Sequence, residues 1–412
     1  MAGKRILLAA EFLRGGATVA RLLPLAVALA DRGHDVTLAV PPALTATIAG
    51  SGFPLVDAPR WTLPPPSGFV AISYADVLMH GGWASTDALR GLMDGWRSVL
   101  DQTTPDLLIA DFAPTAMLAA RVAGVATAAV GDGFSLPPVT SPLTAPLAAP
   151  LTAPLPTMRP WAEIAPDALA SVEGRVLAVV NARLGALHAM ELRRLQDLFD
   201  SVPVFLCTFP ELDHYPDRQA GVWYGEVFAP SRGPVGVWPA GTGDRVYVDL
   251  DPRHPALGPI VDALDRLMLP TLVQAAAGMA AGRADAIERA LIQVTTTTNR
   301  ASVLSGCDIV ICQGHEVAVP ALLAGKPLLM LPVFVEQMMT LHRLAKQGLA
   351  HGVEPNADAA AIDAVVRRLI DDRACRKRAV NFARRYEGYR PGIAIDAVAD
   401  AIDELFVVEG YA

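Results

Sequence analysis

The chain of 412 residues lacks paired cysteines and long uninterrupted hydrophobic runs. Its four cysteines, Cys207, Cys307, Cys312 and Cys375, are scattered without the spacing of a disulfide framework or a zinc site. We therefore expect no metal and a reducing, cytoplasmic location. The longest apolar stretch, residues 107–130, is interrupted by charged residues and glycine, so no membrane span is predicted although 52% of the residues are hydrophobic.

The sequence also lacks a basic stripe. Its net charge of -8 is distributed along the chain, which argues against nucleic acid as a partner. The apolar run at the start, MAGKRILLAAEFLRGG, is short and meets Glu11 and Arg14, which favours a buried first strand over a secretion signal. The length predicts about two domains.

The N-terminal part alternates between strand and helix patterns. Strands are predicted at 6–10 and 35–40, and leucines and alanines at helical spacing occupy 22–29 between them. Further strands at 107–110 and 126–131 continue the series. A strand, a helix and a second strand within so short a length imply a parallel pair, so we expect a doubly wound α/β sheet.

Proline recurs about every fourth residue between 135 and 160, which excludes a regular helix or a central strand there. We expect either a mobile flap or an insertion packed on the surface. A long helix is predicted for 174–199, and a strand for 204–207. Residues 228–243, rich in glycine and proline, precede a fresh strand and indicate a domain boundary.

The second half repeats the architecture of the first. Its predicted strands are 245–250, 271–275, 290–294, 308–312 and 327–331. We therefore expect domains at 1–232 and 245–390, joined by a linker at 233–244. The last segment, 391–412, contains a helix with one apolar face that includes Ile402 and Phe406 and needs a surface to cover it.

The segment from Asp308 to Val317 carries the most informative motif. A buried strand turns through Gly314 into a helix, which directs backbone N–H groups and the positive helix end at one point. That arrangement suits a phosphate, although the same turn also occurs as a plain connection.

The residues beyond this turn make the pattern more specific. CQGHEV, ALLAGKPLLMLP and VFVEQ occur in the order and spacing of the C-terminal donor domain of GT-B glycosyltransferases that act on natural products. The N-terminal RGGATVARLLPLAVALADRGHDVTLAVP resembles the first glycine loop, helix and second strand of the same family. The resemblance implies two Rossmann-like, doubly wound domains with a cleft between them, and no cofactor besides a UDP- or dTDP-sugar donor.

The resemblance also implies roles for individual residues. The diphosphate would be bound by Cys312, Gln313, Gly314, His315, Glu316 and Val317. Glu336 and Gln337 would bind the donor sugar, and Thr298 and Arg300 lie in the region expected to face the nucleotide base. The remaining candidates belong to the N-terminal domain: Glu11, Gly15 and Gly16 in its first loop, and His80, Trp83, Asp132 and Phe134 around an acceptor.

Four residues, at three places in the chain, depart from the family pattern. Thr18 stands where the family has the histidine that deprotonates the acceptor, and threonine cannot act as a base near neutral pH. Asp111 matches the carboxylate that orients this histidine, so Thr18→His should restore activity; alternatively, Asp111 only accepts hydrogen bonds from a loop. Cys312 replaces a phosphate-binding histidine, and Glu316 with Val317 replaces glycine and a hydroxyl residue.

These features predict an inverting glycosyltransferase whose partners are a nucleotide sugar and a small, apolar acceptor. Two alternatives stay open: a GT-B protein that has lost transfer activity and serves as a binding module or auxiliary subunit, and a transferase whose acceptor needs no histidine base. A homodimer also stays open. The last helix is expected to cross back onto the N-terminal domain.

Overall fold

A computed structural model of the chain describes residues 3–12, 16–63, 69–139, 154–218, 221–228, 233–274, 281–295, 299–353 and 357–407, with the side chains of 16–17 and 281–283 excepted. The chain divides into two compact units. The first comprises Met1–Val227 and Arg390–Ala412, and the second comprises Phe228–Tyr389. Gly15, Thr298 and most of the proline-rich run lie outside the described residues.

The first unit contains a six-stranded parallel sheet in the order β3-β2-β1-β4-β5-β6. Its strands are β1 Arg5–Ala10, β2 Asp35–Val40, β3 Leu55–Asp57, β4 Leu107–Asp111, β5 Ala126–Gly131 and β6 Val204–Leu206. The central strands β1 and β4 are buried almost throughout, as expected for strands covered on both faces. The strand order reverses between β1 and β4, where open α/β sheets bind ligands.

Helices and short helical turns connect these strands. The helices are α1 Gly16–Asp31, α2 Pro42–Ile48, α3 Tyr74–Leu78, α4 Thr86–Thr103, α5 Pro114–Ala123 and α6 Pro166–Ala186. A π-helical turn, Met79–Trp83, joins α3 to α4, and 3-10 turns lie at Ala49–Ser51 and Leu195–Leu198.

The bounds predicted for the long helix at 174–199 are wrong. Helix α6 begins at Pro166, a residue suited to the first turn because it lacks a backbone N–H, and it ends at Ala186. Beyond it, His188 adopts a left-handed backbone with φ of 54°, which ends the helix. The Asn181 side chain then accepts from the Leu192 N–H at 2.9 Å and donates to its carbonyl at 2.8 Å, so the chain folds back along α6.

The last helix, α14, packs within the first unit. In chain order it follows the helices of the second unit, and it spans Pro391–Leu405. Its buried face, which includes Ile402, lies against α1. His34 Nδ1 accepts from the Lys4 N–H at 3.2 Å, so its Nε2 carries the hydrogen and donates to Asp403 Oδ1 at 2.7 Å. The Phe406 ring lies beside His34, with 5.7 Å between the ring centroids.

The second unit has its own six-stranded parallel sheet, in the order β12-β11-β10-β7-β8-β9. The strands are β7 Val246–Asp249, β8 Thr271–Gln274, β9 Ile292–Thr295, β10 Ile309–Cys312, β11 Leu328–Met330 and β12 Ala350–Gly352. The helices are α7 Leu257–Arg266, α8 Ala281–Ile287, α9 Arg300–Gly306, α10 His315–Leu323, α11 Val335–Lys346, α12 Ala359–Asp371 and α13 Arg373–Arg385.

One face of this sheet forms the core of the second unit. Alternate residues of β7 and β10, including Val248 and Ile311, pack with helices α7 and α12. The predicted linker at 233–244 lies within this unit, where the Pro234 carbonyl accepts from the Asn299 N–H at 2.8 Å. Every helix in the described part of the chain falls short of the length and apolar character that crossing a bilayer requires.

Candidate functional site

The second unit changes strand order between β7 and β10, and the residues that end these strands are polar or followed by polar residues. Asp249 ends β7 and is paired in register with Cys312, which ends β10. Gln313 follows at once, and its Oε1 accepts from the Asp251 N–H at 2.9 Å. The two loops are therefore held together at the carboxyl edge of the sheet, where a ligand of an open α/β sheet binds.

Gly314 and Gln337 lie in contact at this edge. A Cβ atom at position 314 would lie 3.2 Å from Nε2 of Gln337, tighter than an ordinary contact. Gln337 Oε1 accepts from the N–H groups of Val333 and Phe334 at 2.8 and 3.3 Å, which holds its amide in place. The structure thus brings together the turn expected to bind the diphosphate and one of the two residues expected to bind the sugar.

Glu336, the other residue expected to bind the sugar, lies beside Gln337 in the first turn of α11. The Thr340 hydroxyl lies 3.3 Å from its Oε1 and 3.2 Å from its carbonyl oxygen. Glu336 is partly exposed, whereas Gln337 is buried.

The first turn of α10 sorts its side chains by burial. His315 and Val317 are buried, and Glu316 is exposed. The Glu316 carboxylate is thus on the solvent side of the helix, which is one of the conditions under which an acid can be tolerated beside a diphosphate. Cys312 is fully buried, and burial raises the pKa of its thiol. It behaves as a small apolar residue of the strand end.

A cluster that the sequence analysis missed adjoins Cys312. The Tyr247 hydroxyl donates to Asp249 Oδ2 at 2.8 Å, and an Arg300 Nη2 lies 3.6 Å from the same oxygen. Burial raises the pKa of Asp249, while Arg300 and the tyrosine act in the opposite direction. The sequence did contain a signal for this cluster. Asp249 is an acid at the end of a buried strand, and it follows Tyr247 by two residues, which places both side chains on one face of the strand. Thr298, predicted with Arg300, lies outside the described residues.

The first unit has a corresponding point between β1 and β4. Asp111 ends β4, and Arg21, on the first helix, binds it through Nε and Nη2, each 2.9 Å from a different carboxylate oxygen. Both side chains are buried, with 3% and 1% of their surfaces exposed. Asp111 is thus one half of an ion pair, which neither reading of this residue from sequence foresaw.

The position of Arg21 carried a signal that sequence reasoning overlooked. It lies three residues after Thr18 on α1, the spacing that puts two side chains on one face of a helix. A charged residue on the otherwise apolar inner face of a helix requires a buried partner of opposite charge. Asp111 is that partner.

Thr18 is buried, and its hydroxyl cannot act as the base that deprotonates an acceptor. Its side chain lines a small cavity with Leu38, Val40 and Leu44, an apolar environment between α1, β2 and α2. Gly16 begins α1, and Gly15 lies outside the described residues.

Glu11 directly follows β1 and is 2% exposed. Its Oε2 accepts from the Thr115 N–H at 2.8 Å, so it caps the first turn of α5 from outside that helix. Burial raises the pKa of Glu11 to about 8, although the contacts with Thr115 and Ala116 act against this. Trp83 Nε1 donates to the Thr115 hydroxyl at 2.9 Å. Trp83 is fully buried and offers no surface to an acceptor.

The other acceptor candidates belong to an aromatic group at the same edge of the sheet. The Phe134 ring packs edge to face on Phe112, with 5.9 Å between centroids, and Phe112 packs in the same way on Phe12 at 5.0 Å. Phe112 has a φ of 52°, an uncommon conformation for a bulky residue and one often found at functional sites. Asp132 is also buried here.

His80 lies on the π-helical turn and packs against Phe69, with 3.7 Å between ring centroids. Burial lowers the pKa of His80. The neighbouring Gly81 makes room for Phe12, since a Cβ atom at position 81 would lie 2.1 Å from Cζ of that ring. The structure therefore brings the His80 segment to the aromatic group.

No protein-family model matches the sequence, and no curated protein matches it. Solved structures do. CalG4, the calicheamicin glycosyltransferase, is similar over 100% of both chains with a TM-score of 0.70 and 19% identity. The glycosyltransferase of kitacinnamycin has a TM-score of 0.67 and 18% identity, and the similarity covers 98% of this chain and 99% of that one. The spinosyn rhamnosyltransferase SpnG, solved with spinosyn aglycone, has a TM-score of 0.66 and 18% identity. The similarity covers 98% of this chain and 100% of that one.

These similarities extend over nearly the whole chain, and each of the two parallel sheets is part of the shared architecture. The chain therefore has the GT-B fold, as its sequence motifs predicted.

Proposed function

We propose that this protein is a glycosyltransferase that binds a nucleoside diphosphate sugar in its second unit and transfers the sugar, with inversion, to a small apolar acceptor held by its first unit. The observation that carries the proposal is the β10–α10 turn, where Gly314 and Gln337 are in contact at the point of strand reversal. The start of α10 has the positive end of a helix dipole there, which stabilises a phosphate.

The solved relatives support the choice of ligands. SpnG has been crystallised with thymidine diphosphate and, separately, with spinosyn aglycone. We extend both to this chain as a proposal: a dTDP- or UDP-sugar donor and an apolar acceptor. Phe12, which is partly exposed and packs on Phe112, supports an acceptor with an apolar surface. No cofactor besides the donor is part of the proposal.

The proposed reaction is a direct displacement at the anomeric carbon. A bond forms from the acceptor oxygen to that carbon while the bond from the carbon to the diphosphate oxygen breaks. The second unit contributes orientation of the sugar through Glu336 and Gln337 and stabilisation of the departing diphosphate through backbone N–H groups. A hydroxyl acceptor also gives up its proton, which passes to solvent because Thr18 cannot accept it.

One observation favours a second candidate, a GT-B protein that binds its ligands without transferring sugar. Asp111 is bound by Arg21 through both carboxylate oxygens, so the charge of Asp111 is neutralised by an arginine rather than by a histidine base. A transferase with an acceptor that is already ionised would tolerate this arrangement, whereas transfer to an alcohol would be slow.

Calorimetric titration with UDP, dTDP, GDP and ADP tests the proposed binding. We expect at least one of them to bind and to stabilise the fold by about 2.7 kcal/mol at a hundredfold excess over its dissociation constant. Glu316→Gly serves as a comparison, because it removes the acid of the first helical turn. If the native protein binds none of the four and the variant binds one, the diphosphate site has decayed and the auxiliary role is favoured. If neither binds, the proposal is wrong.

A further inference from the structure

The polar cluster beside Cys312 lies at the same sheet edge as the diphosphate turn. Asp249 ends β7, the neighbour of β10, and Arg300 begins α9, which follows the carboxyl end of β9. Because the carboxyl ends of parallel strands share one edge, Arg300, Asp249 and Gly314 all lie there. Arg300 Nη2 lies 3.6 Å from Asp249 Oδ2, and Asp249 is paired in register with Cys312, so the guanidinium lies near the end of β10.

The Arg300–Asp249 pair is loose for an ion pair at a partly buried site. The shortest distance between them is 3.6 Å, beyond hydrogen-bond length, whereas Tyr247 makes a 2.8 Å hydrogen bond to the same carboxylate oxygen. About 32% of the Arg300 side chain is exposed, against 19% for Asp249. The guanidinium therefore reaches solvent at the sheet edge and keeps N–H donors for another acceptor.

A full positive charge near the β10–α10 turn would strengthen the binding of a diphosphate there. Backbone N–H groups contribute only partial charges, and the acid of that turn, Glu316, is of the wrong sign. Arg253, the arginine in the loop after β7, hydrogen-bonds its own neighbour Asp251 and is 87% exposed, so solvent screens it. Arg300 is better shielded and is suited to bind phosphate oxygens in pairs.

We propose that Arg300 is the residue that binds the diphosphate of the donor, moving from Asp249 onto the phosphate oxygens. The inference rests on the proposed function and assigns to Arg300 a role different from contact with the nucleotide base. Asp249 keeps the hydrogen bond from Tyr247 when Arg300 leaves it. In this arrangement Asp249 restrains Arg300 and also repels the ligand, so its removal favours binding.

The test compares dissociation constants of dTDP, UDP and the corresponding nucleosides for the native protein and four variants. Arg300→Met is expected to weaken diphosphate binding about ten- to a hundredfold, the loss of a charged hydrogen-bond partner, and to leave nucleoside binding unchanged. Asp249→Asn is expected to tighten diphosphate binding. The matched control is Arg266→Met. Arg266 ends α7 and pairs with Asp363 of α12 at 2.8 Å. This variant should change neither the diphosphate nor the nucleoside dissociation constant.

The double variant Arg300→Met/Asp249→Asn guards against misfolding, because the single arginine variant leaves the partly buried Asp249 carboxylate without that cation. It should bind diphosphate about ten- to a hundredfold more weakly than Asp249→Asn. Equal diphosphate binding by the double variant and Asp249→Asn overturns the assignment. A parallel loss of nucleoside binding in Arg300→Met also overturns it, because that loss would place Arg300 at the nucleotide base. A native protein that binds no nucleoside diphosphate overturns the proposed function together with this inference.

Discussion

Arg21 and Asp111 form a buried, bidentate ion pair in the first unit, with both nitrogen–oxygen distances at 2.9 Å. It joins α1 to the carboxyl end of β4, at the reversal of strand order. The pKa of Arg21 is raised, because Asp111 and also Asp132 stabilise its charge more than burial opposes it. A charged pair is therefore built into the part of the fold where a reacting group was expected.

Arg21→Met should destabilise the fold by about 3–5 kcal/mol, because it removes the cation that binds both oxygens of the buried Asp111 carboxylate. Urea unfolding monitored by circular dichroism measures this change. Arg21→Met/Asp111→Leu should recover most of the loss, since it removes both charges. Arg90→Met is the control: Arg90 pairs with Asp87 at 3.0 Å on the surface, and its loss should cost less than about 1 kcal/mol. Similar urea midpoints for Arg21→Met and Arg90→Met would contradict the structural role of the Arg21–Asp111 pair.

Thr18→His should not by itself create transfer to an alcohol. The sequence suggested that Asp111 would orient such a histidine, but Arg21 already binds both of its oxygens. Thr18→His/Arg21→Met should release the carboxylate and raise the rate of transfer, since general base catalysis typically contributes about a hundred- to ten-thousandfold. Product formation with a phenol or an alcohol, followed by chromatography, measures the effect, with Arg21→Met alone as control. A large gain from Thr18→His alone would show that Asp111 does not need to be released.

Glu11 should make the protein less stable as the pH rises from about 5 to 8. Burial raises its pKa in the folded protein to about 8, above its ordinary value of 4.5, so the folded state holds a proton that the unfolded state has lost. The stability that Glu11 contributes is complete below the ordinary pKa of 4.5 and is lost as the pH rises through the folded-state pKa of about 8.

Melting temperatures of the native protein and Glu11→Gln at pH 5, 6, 7 and 8 test this prediction. The variant should fall less steeply over the range, because glutamine does not titrate. Glu163→Gln, at an exposed position, should reproduce the native slope. Parallel curves for Glu11→Gln and the native protein would show that Glu11 does not take part in the pH dependence.

Strand and helix patterns were sufficient to predict two doubly wound α/β domains, and the resemblance to glycosyltransferases was needed to predict the GT-B fold. Buried parallel strands are short continuous apolar runs, so β1, β2 and β10 were found within a residue of their observed bounds. The bounds of α6 were not, because the apolar spacing continued beyond Ala186 while the backbone turned at His188. A periodic pattern records which side chains are apolar and does not record a reversal of the chain.

The sequence by itself determined the doubly wound α/β units and, through its resemblance to glycosyltransferases, the GT-B fold, because each strand, its turn and the following helix are local in the chain. Only the tertiary structure decided what Asp111 and Asp249 do. Their partners, Arg21 and Arg300, lie 90 and 51 positions away along the chain. Pairing of charges across such separations depends on which strands become neighbours and on how deeply each side chain is buried, and no local pattern encodes either.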